Sequence, residues 1–200
     1  MILQAVTTIT LPTSAFPPLA VGFFGLGVGY LIYGPGELFG FPSRERTTDI
    51  AIGIWGVWMP GFLQFIAGVY LFAGLVLFNT FRQPPLYMAA LAFTAYGVHW
   101  FAIGLNRALG ADPGANLLMS IPFAILSVLG ATVFVIAADY PVALVFVGLT
   151  LVYISEFVAT LRPTPWERAL GLFRILTAAW LMYLTWAVVL NFASGYKLWV

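Results

Sequence analysis

Six long apolar stretches fill almost the whole of the 200-residue chain. A helix needs about 20 mostly apolar residues to cross ~30 Å of hydrocarbon. The stretches have that length and lack the alternation of apolar and polar residues typical of barrel strands. We therefore predict an all-α integral membrane protein, a single transmembrane domain over residues 1–200 whose six helices form a compact bundle around a central pore. The predicted spans are 17–34, 50–78, 86–108, 116–137, 142–161 and 166–192.

The composition excludes most other classes of protein. The chain is 62% hydrophobic and 8% charged, whereas a soluble domain is about 25% charged. A net charge of +1 gives no basic surface for nucleic acid. The absence of cysteine rules out thiol catalysis and thiolate metal sites, and one histidine cannot build a multi-histidine metal site. We expect no enzyme activity, no metal and no cofactor, which leaves transport of a small solute or a role as a membrane-embedded subunit.

Arginines in the short loops predict the orientation. On the side of the bundle opposite the loops after spans one, three and five, the only basic residues are Arg82 and Lys197. Cytoplasmic loops of membrane proteins are enriched in arginine and lysine. We therefore predict a multi-pass protein of the plasma (inner) membrane with both termini outside. The five arginines that would face the cytoplasm follow spans one, three and five; they are Arg44, Arg46, Arg107, Arg162 and Arg168.

Small residues form a stripe on the first span. Gly22, Gly25 and Gly29 lie three and four residues apart, on one helix face. Such a face allows two helix backbones to approach closely, or it leaves space beside a pore, and the sequence leaves both interpretations open. The Gly34-Pro35-Gly36 segment indicates the end of this span.

Two charged side chains in the last two spans are predicted to pair. Glu156 lies eight residues before Thr164 and Arg174 ten residues after it, so both reach similar depth in an antiparallel hairpin. A charge at mid-membrane costs about 2.5–3.5 kcal/mol, which an ion pair largely offsets. The pair either gates a path or only clips the two helices together.

Three further polar residues are pore-lining or gating candidates. His99 lies near the centre of span three, where it either senses acid or is a neutral histidine bonded to a helix carbonyl. Gln64 and Asn106 are amides in or near spans, and either can line a path or bridge helices.

Several segments resemble the acetate uptake transporter family, the succinate–acetate permeases and their relatives. The segment from Ala92 to Trp100 resembles the family's Phe-x-Ser-Tyr-Gly-x-Phe-Trp segment. The segments Gln64 to Gly68, Asn79 to Phe81 and Leu176 to Ala178 resemble its second span, the following loop and its sixth span. The similarity covers all six spans in matching order.

A second family of the same architecture, the urea and short-amide channels, shows a weaker resemblance. Gly104-Leu105-Asn106 followed by Gly110-Ala111-Asp112 is similar to its Gly-Ile-Asn…Gly-Leu-Asp run. Thr164-Pro165-Trp166 is similar to the start of its last span, and an acidic residue late in span five, such as Glu156, also fits this family.

The resemblance implies a channel or transporter for a small monocarboxylate such as acetate, passive or proton-coupled. It implies an apolar pore constriction made by Phe24, Tyr96 and Leu149, and a homohexamer in which each protomer has its own pore. The alternatives are a pH-gated channel for urea or short amides and a non-transporting subunit or sensor.

Overall fold

The computed structural model describes residues 16–112 and 114–200, without the side chains of residues 16, 17, 115 and 163. In this part of the chain six helices are long and apolar enough to cross a membrane. This confirms the predicted all-α, multi-pass membrane fold. Each helix packs against the next and α6 packs against α1, so the six form a closed ring. They are α1 Phe16–Phe39, α2 Arg46–Leu77, α3 Pro85–Leu109, α4 Gly114–Ile136, α5 Tyr140–Leu161 and α6 Pro163–Ser194.

The first helix continues past the Gly34-Pro35-Gly36 segment, contrary to the sequence prediction. Proline removes one helical N–H donor but does not stop the chain when tertiary packing holds it in place. Such packing is present here: a Cβ at Gly34 would lie 3.1 Å from the carbonyl oxygen of Gly171 in α6. The helix ends instead before Gly40, which has a left-handed φ of +73° and donates its N–H to the Gly36 carbonyl at 3.2 Å. One further turn of α1 is therefore available to carry side chains.

The glycine stripe of α1 is a packing surface. A Cβ at Gly25 would lie 2.5 Å from the Met59 carbonyl oxygen, and one at Gly29 would lie 2.6 Å from Cγ of Pro60. Gly25 and Gly29 therefore lie directly on the π-helical turn Val57–Phe62 of α2, a wider turn that includes a proline. Gly22 instead faces the Phe93 ring of α3. Of the two interpretations of the stripe, helix packing is the one the structure shows.

Close contact between α2 and α3 brings their polar residues to the bundle axis. A Cβ at Gly97 would lie 2.5 Å from the backbone nitrogen of Phe65. A Cβ at Gly53 would lie 2.5 Å from the Gly104 carbonyl oxygen. Only glycine permits backbones this close, and the result is that Gln64 and Tyr96 line one interior space.

Asp139 caps the start of α5 outside the apolar spans. Its carboxylate accepts a hydrogen bond from the Val142 N–H at 3.2 Å. Partial burial raises the pKa of Asp139, and the bond from Val142 opposes that rise. The cap fixes the short connection between α4 and α5.

The loops that follow α1, α3 and α5 meet on one side of the bundle. Arg44 forms an ion pair with Glu167 at the start of α6. Nε of Arg107 donates to Asp49 in the first turns of α2 at 2.9 Å. The arginine-rich loops thus share one membrane side, referred to below as the inner side.

Candidate functional site

One face of α1 marks the axis of the bundle. Leu19, Phe23 and Leu26 are buried, and Tyr30 and Tyr33 continue the same face toward the inner side. These positions repeat every three or four residues, as one side of a helix does. Along them the interior divides into an outer cavity, an aromatic layer and a charged cluster, which are described in turn.

The outer cavity lies between α1, α2, α3 and α5. Its volume is about 20 Å³, room for about one water molecule. Its walls are apolar except at two side chains, Gln64 and Tyr96. The lining residues are Leu19, Phe23, Leu26, Gln64, Ala89, Ala92, Phe93, Tyr96, Val142, Val145, Phe146 and Leu149.

Gln64 has no partner in this apolar surrounding. Its side chain is fully buried, and neither Nε2 nor Oε1 has a hydrogen-bond partner among the residues that the structure describes. A buried amide without partners costs about 1–3 kcal/mol of folding free energy. The sequence identified Gln64 as a candidate, and the structure places it in the cavity wall.

The hydroxyl of Tyr96 is already engaged. It lies 2.8 Å from Oγ of Ser127, and the Ser127 hydroxyl donates to the Phe123 carbonyl oxygen at 2.7 Å. This hydrogen bond links the Tyr96 side chain in α3 to Ser127 in α4.

Of the three residues predicted to form the constriction, Tyr96 and Leu149 lie at the outer cavity, whereas Phe24 does not and requires a correction. Tyr96 and Leu149 both line the outer cavity, each 2% exposed. Phe24 is 39% exposed on the outside of the protomer, and the interior position belongs to Phe23, which is 5% exposed. Successive helix residues point about 100° apart, so only one of two adjacent phenylalanines can face the axis. The Phe23 ring packs against the Phe93 ring with centroids 5.6 Å apart.

An aromatic layer surrounds His99 below the outer cavity. The imidazole centroid is 4.3 Å from the Phe123 ring and 5.6 Å from the Tyr153 ring. His99 is 2% exposed, and neither ring nitrogen has a partner within residues 16–112 and 114–200. The hydrogen bond to a helix carbonyl, one of the two interpretations of His99, is therefore not formed in the part of the chain that the structure describes.

The charged cluster lies at the inner end of the axis and confirms the predicted pair. Nη2 of Arg174 is 3.4 Å from Oε1 of Glu156, and both side chains are buried. Arg174 also pairs with Glu37. Its guanidinium lies 5.9 Å from the Tyr30 ring centre and 5.7 Å from that of Tyr33, distances at which an aromatic face attracts a cation. One guanidinium thus contacts two carboxylates, and the three side chains come from three different helices.

Glu37 is a site residue that sequence reasoning missed. Ending the first span at Gly34 placed Glu37 in a loop, where a glutamate is unremarkable. A signal was available, because Glu37 continues the interior face of α1 at a helical spacing of four from Tyr33. Extending that face by one turn predicts a buried carboxylate opposite α6.

An inner basin of about 360 Å³ opens next to the charged cluster. Glu37 lines the basin and also pairs with Arg174, so it connects the surface to the interior. Asn106 lines neither this basin nor the outer cavity. The residues lining the basin are Gly36, Glu37, Leu38, Phe39, Gly40, Arg44, Thr164, Glu167 and Arg168.

Comparison with known proteins agrees with this architecture. No protein-family model matches the sequence, and no curated protein matches it. Among solved structures the chain matches the bacterial acetate channel SatP with a TM-score of 0.69 and 17% sequence identity. The match covers 90% of this chain and 96% of that chain. At this identity the two proteins share a fold.

Proposed function

We propose that the protein is a membrane channel or transporter for a small monocarboxylate such as acetate, with passage through the interior of each protomer. The observation that carries the proposal is a set of buried polar groups along the axis of the helix ring that have no hydrogen-bond partner among the described residues. They are the amide of Gln64, both ring nitrogens of His99 and one carboxylate oxygen of Glu156. The match to the bacterial acetate channel SatP supports the same solute class.

Unpartnered groups argue against a purely structural interior. Buried polar groups in proteins are almost always hydrogen-bonded, and each exception costs about 1–3 kcal/mol. Gln64 and His99 lie on α2 and α3, on the same axis but with no bond between them. A solute or water passing along the axis would meet these groups in succession.

The narrow cavity sets the selectivity. Space for about one water molecule excludes a hydrated ion, and apolar walls favour a weakly hydrated solute. A molecule the size of acetate requires side chains such as Phe93 and Leu149 to move aside. Passage is then passive or coupled to a proton, and no bond is made or broken.

Two alternatives each have an observation in their favour. An acidic residue at Glu156, paired with Arg174, fits a pH-gated channel for urea or short amides. The tight outer cavity fits a non-transporting subunit or sensor. The unpartnered atoms of His99 and Gln64 weigh against the second alternative, since a sealed interior would satisfy them.

The test is solute uptake into proteoliposomes. Radiolabelled acetate and radiolabelled urea are compared at pH 5.5 and pH 7.5, with protein-free liposomes as the control. We expect acetate uptake above the control and exclusion of urea. Urea uptake without acetate would favour the amide channel. Uptake of neither solute would leave both named solutes unsupported and favour the non-transporting alternative.

Assembly and orientation complete the proposal. We expect a homohexamer in the plasma (inner) membrane, with the arginine-rich inner side in the cytoplasm. The support is the family resemblance and the meeting of the arginine loops on one side, where Arg107 bonds to Asp49. Native mass spectrometry from detergent measures the subunit number, and protease protection in oriented vesicles measures the orientation.

A further inference from the structure

The charged cluster at the inner end of the axis contains two carboxyl groups and one guanidinium. Arg174 contacts both Glu37 and Glu156, and none of the three side chains is more than 11% exposed. If both glutamates were ionised, two negative charges would face one positive charge. One negative charge would then remain uncompensated inside the helix ring.

The other arginines near the cluster do not supply the missing positive charge. Arg107 donates to Asp49 of α2 at 2.9 Å, and Arg44 pairs with Glu167. Arg168 of the inner basin is exposed, so water and salt screen its charge. The second carboxylate of the cluster therefore has no cation of its own among the described residues.

The remaining titratable neighbours of the cluster are tyrosines and one histidine. They are Tyr30 and Tyr33 of α1, His99 of α3 and Tyr153 of α5, whereas α4 has no ionisable side chain. Tyrosine is neutral near pH 7. An imidazolium at His99 would need an anion as partner, and neither ring nitrogen has a partner within residues 16–112 and 114–200. These groups therefore leave the charge of the second carboxylate uncompensated.

Each carboxyl group of the cluster also has one oxygen without a hydrogen-bond partner. Oε2 of Glu37 and Oε2 of Glu156 are buried and have no partner among the described residues, and the same holds for Nε of Arg174. Burying an ionised carboxylate that lacks donors is far more costly than burying a neutral polar group. When two carboxylates share one site, one of them takes up a proton. A bound proton would remove the uncompensated charge of this cluster.

We infer that Glu37 and Glu156 together bind one exchangeable proton, held by either carboxyl group beside Arg174. The proton comes from the inner side, because Glu37 lines the inner basin while it contacts Arg174. An O–H bond forms at a carboxylate oxygen when the proton is taken from water in the basin, and it breaks when the proton returns there. The use of this proton rests on the proposed function, since the site supplies the proton-binding group that a proton-coupled passage requires.

Infrared spectroscopy of the purified protein measures this proton through the C=O stretch of a protonated carboxyl group. The chain has only seven aspartates and glutamates, which keeps the spectrum simple. We expect a band from one protonated carboxyl group at pH 7 that shifts in D2O. Glu37→Gln and Glu156→Gln should each remove the whole band, because the remaining carboxylate then pairs one to one with Arg174. Glu45→Gln is the matched control, because it makes the same chemical change at an exposed loop position.

Three results would overturn the inference: no protonated carboxyl group in the wild-type protein at pH 7, a band that survives either glutamine substitution, or a band that does not shift in D2O. The wild-type spectra need no variant. If a glutamine variant fails to fold, Glu37→Asp and Glu156→Asp keep both carboxyl groups, and a band that changes frequency in neither also overturns the inference.

Proton binding is measured apart from solute flux. The band without acetate uptake would reject the proposed function and keep the proton site. Acetate uptake without the band would reject the proton site alone.

Discussion

Removing Arg174 should destabilise the protein far more than neutralising one of its partners. The guanidinium is 4% exposed and faces the carboxylates of Glu37 and Glu156. Arg174→Leu would leave two buried like charges with no cation between them. Breaking a buried ion pair from one side costs about 3–5 kcal/mol. For a chain of this size, 1 kcal/mol corresponds to about 2–4 °C in Tm, so we expect a loss of roughly 6–20 °C.

Glu156→Gln should cost much less. A glutamine oxygen can still accept from Nη2 of Arg174, now at 3.4 Å, and Glu37 still balances the guanidinium. The loss is then about 1 kcal/mol, comparable to one hydrogen bond, or about 2–4 °C. Because both glutamates bind the same group, the double variant of Glu37→Gln with Glu156→Gln should lose more than the sum of the two single losses.

The assay is the temperature at which the monodisperse peak disappears in size-exclusion chromatography after heating in detergent. Arg82→Leu is the matched control, because it removes an exposed arginine from the loop before α3. Surface changes of that kind stay within about 0.5 kcal/mol. Equal Tm values for Arg174→Leu and Arg82→Leu would refute the reasoning. Solute uptake by Glu156→Gln then distinguishes a gate from a clip that only holds the two helices together. If the variant is less stable but its uptake rate and the pH dependence of that rate are unchanged, the ion pair is a clip.

Three further predictions concern the cavity, the helix contact and the cap. Phe23→Ala should raise the size limit for permeating solutes, whereas Phe24→Ala should leave it unchanged, because of the two only Phe23 faces the axis. Uptake of solutes of increasing size measures this limit. A raised limit in Phe24→Ala alone would return Phe24 to the constriction. Gly97→Val should abolish folded protein, since even a Cβ would lie 2.5 Å from the nitrogen of Phe65; a normal yield of monodisperse protein would contradict that packing. Burial raises the pKa of Asp139, so charging it disfavours folding as the pH rises through that pKa. Asp139→Asn should therefore gain apparent Tm relative to wild type between acidic and neutral pH, and a constant difference across that range would argue against the shift.

Much of the fold could be predicted because bilayer thickness dictates helix length. Apolar length alone predicts all six spans, and hairpin geometry predicts the contact of Glu156 with Arg174. The end of α1 could not be predicted from local signals. Gly34-Pro35-Gly36 indicates a break, but packing of Gly34 against Gly171 keeps the chain helical and brings Glu37 into the cluster.

Which residues of a helix face the interior depends on how the helix is rotated about its own axis, and a position in a sequence motif carries no information about that rotation. The position of the family motif along the chain points to Phe24. Adjacent helix residues point about 100° apart, and in the structure it is Phe23 that lies inside. Whether a buried amide finds a partner depends on several helices at once. Gln64 could therefore be predicted as a candidate, but its lack of partners became visible only in the folded structure.

Passage of solute through the protomer interior is most directly tested by thiol modification. The natural chain has no cysteine, so a single introduced thiol is the only reactive site. Ala92 lines the outer cavity, and Val98 on the same helix is 51% exposed on the outside. We predict that methyl methanethiosulfonate stops acetate uptake by Ala92→Cys proteoliposomes and leaves uptake by Val98→Cys unchanged. Uptake that continues at the same rate in the Ala92→Cys protein after complete modification would contradict a path through this cavity.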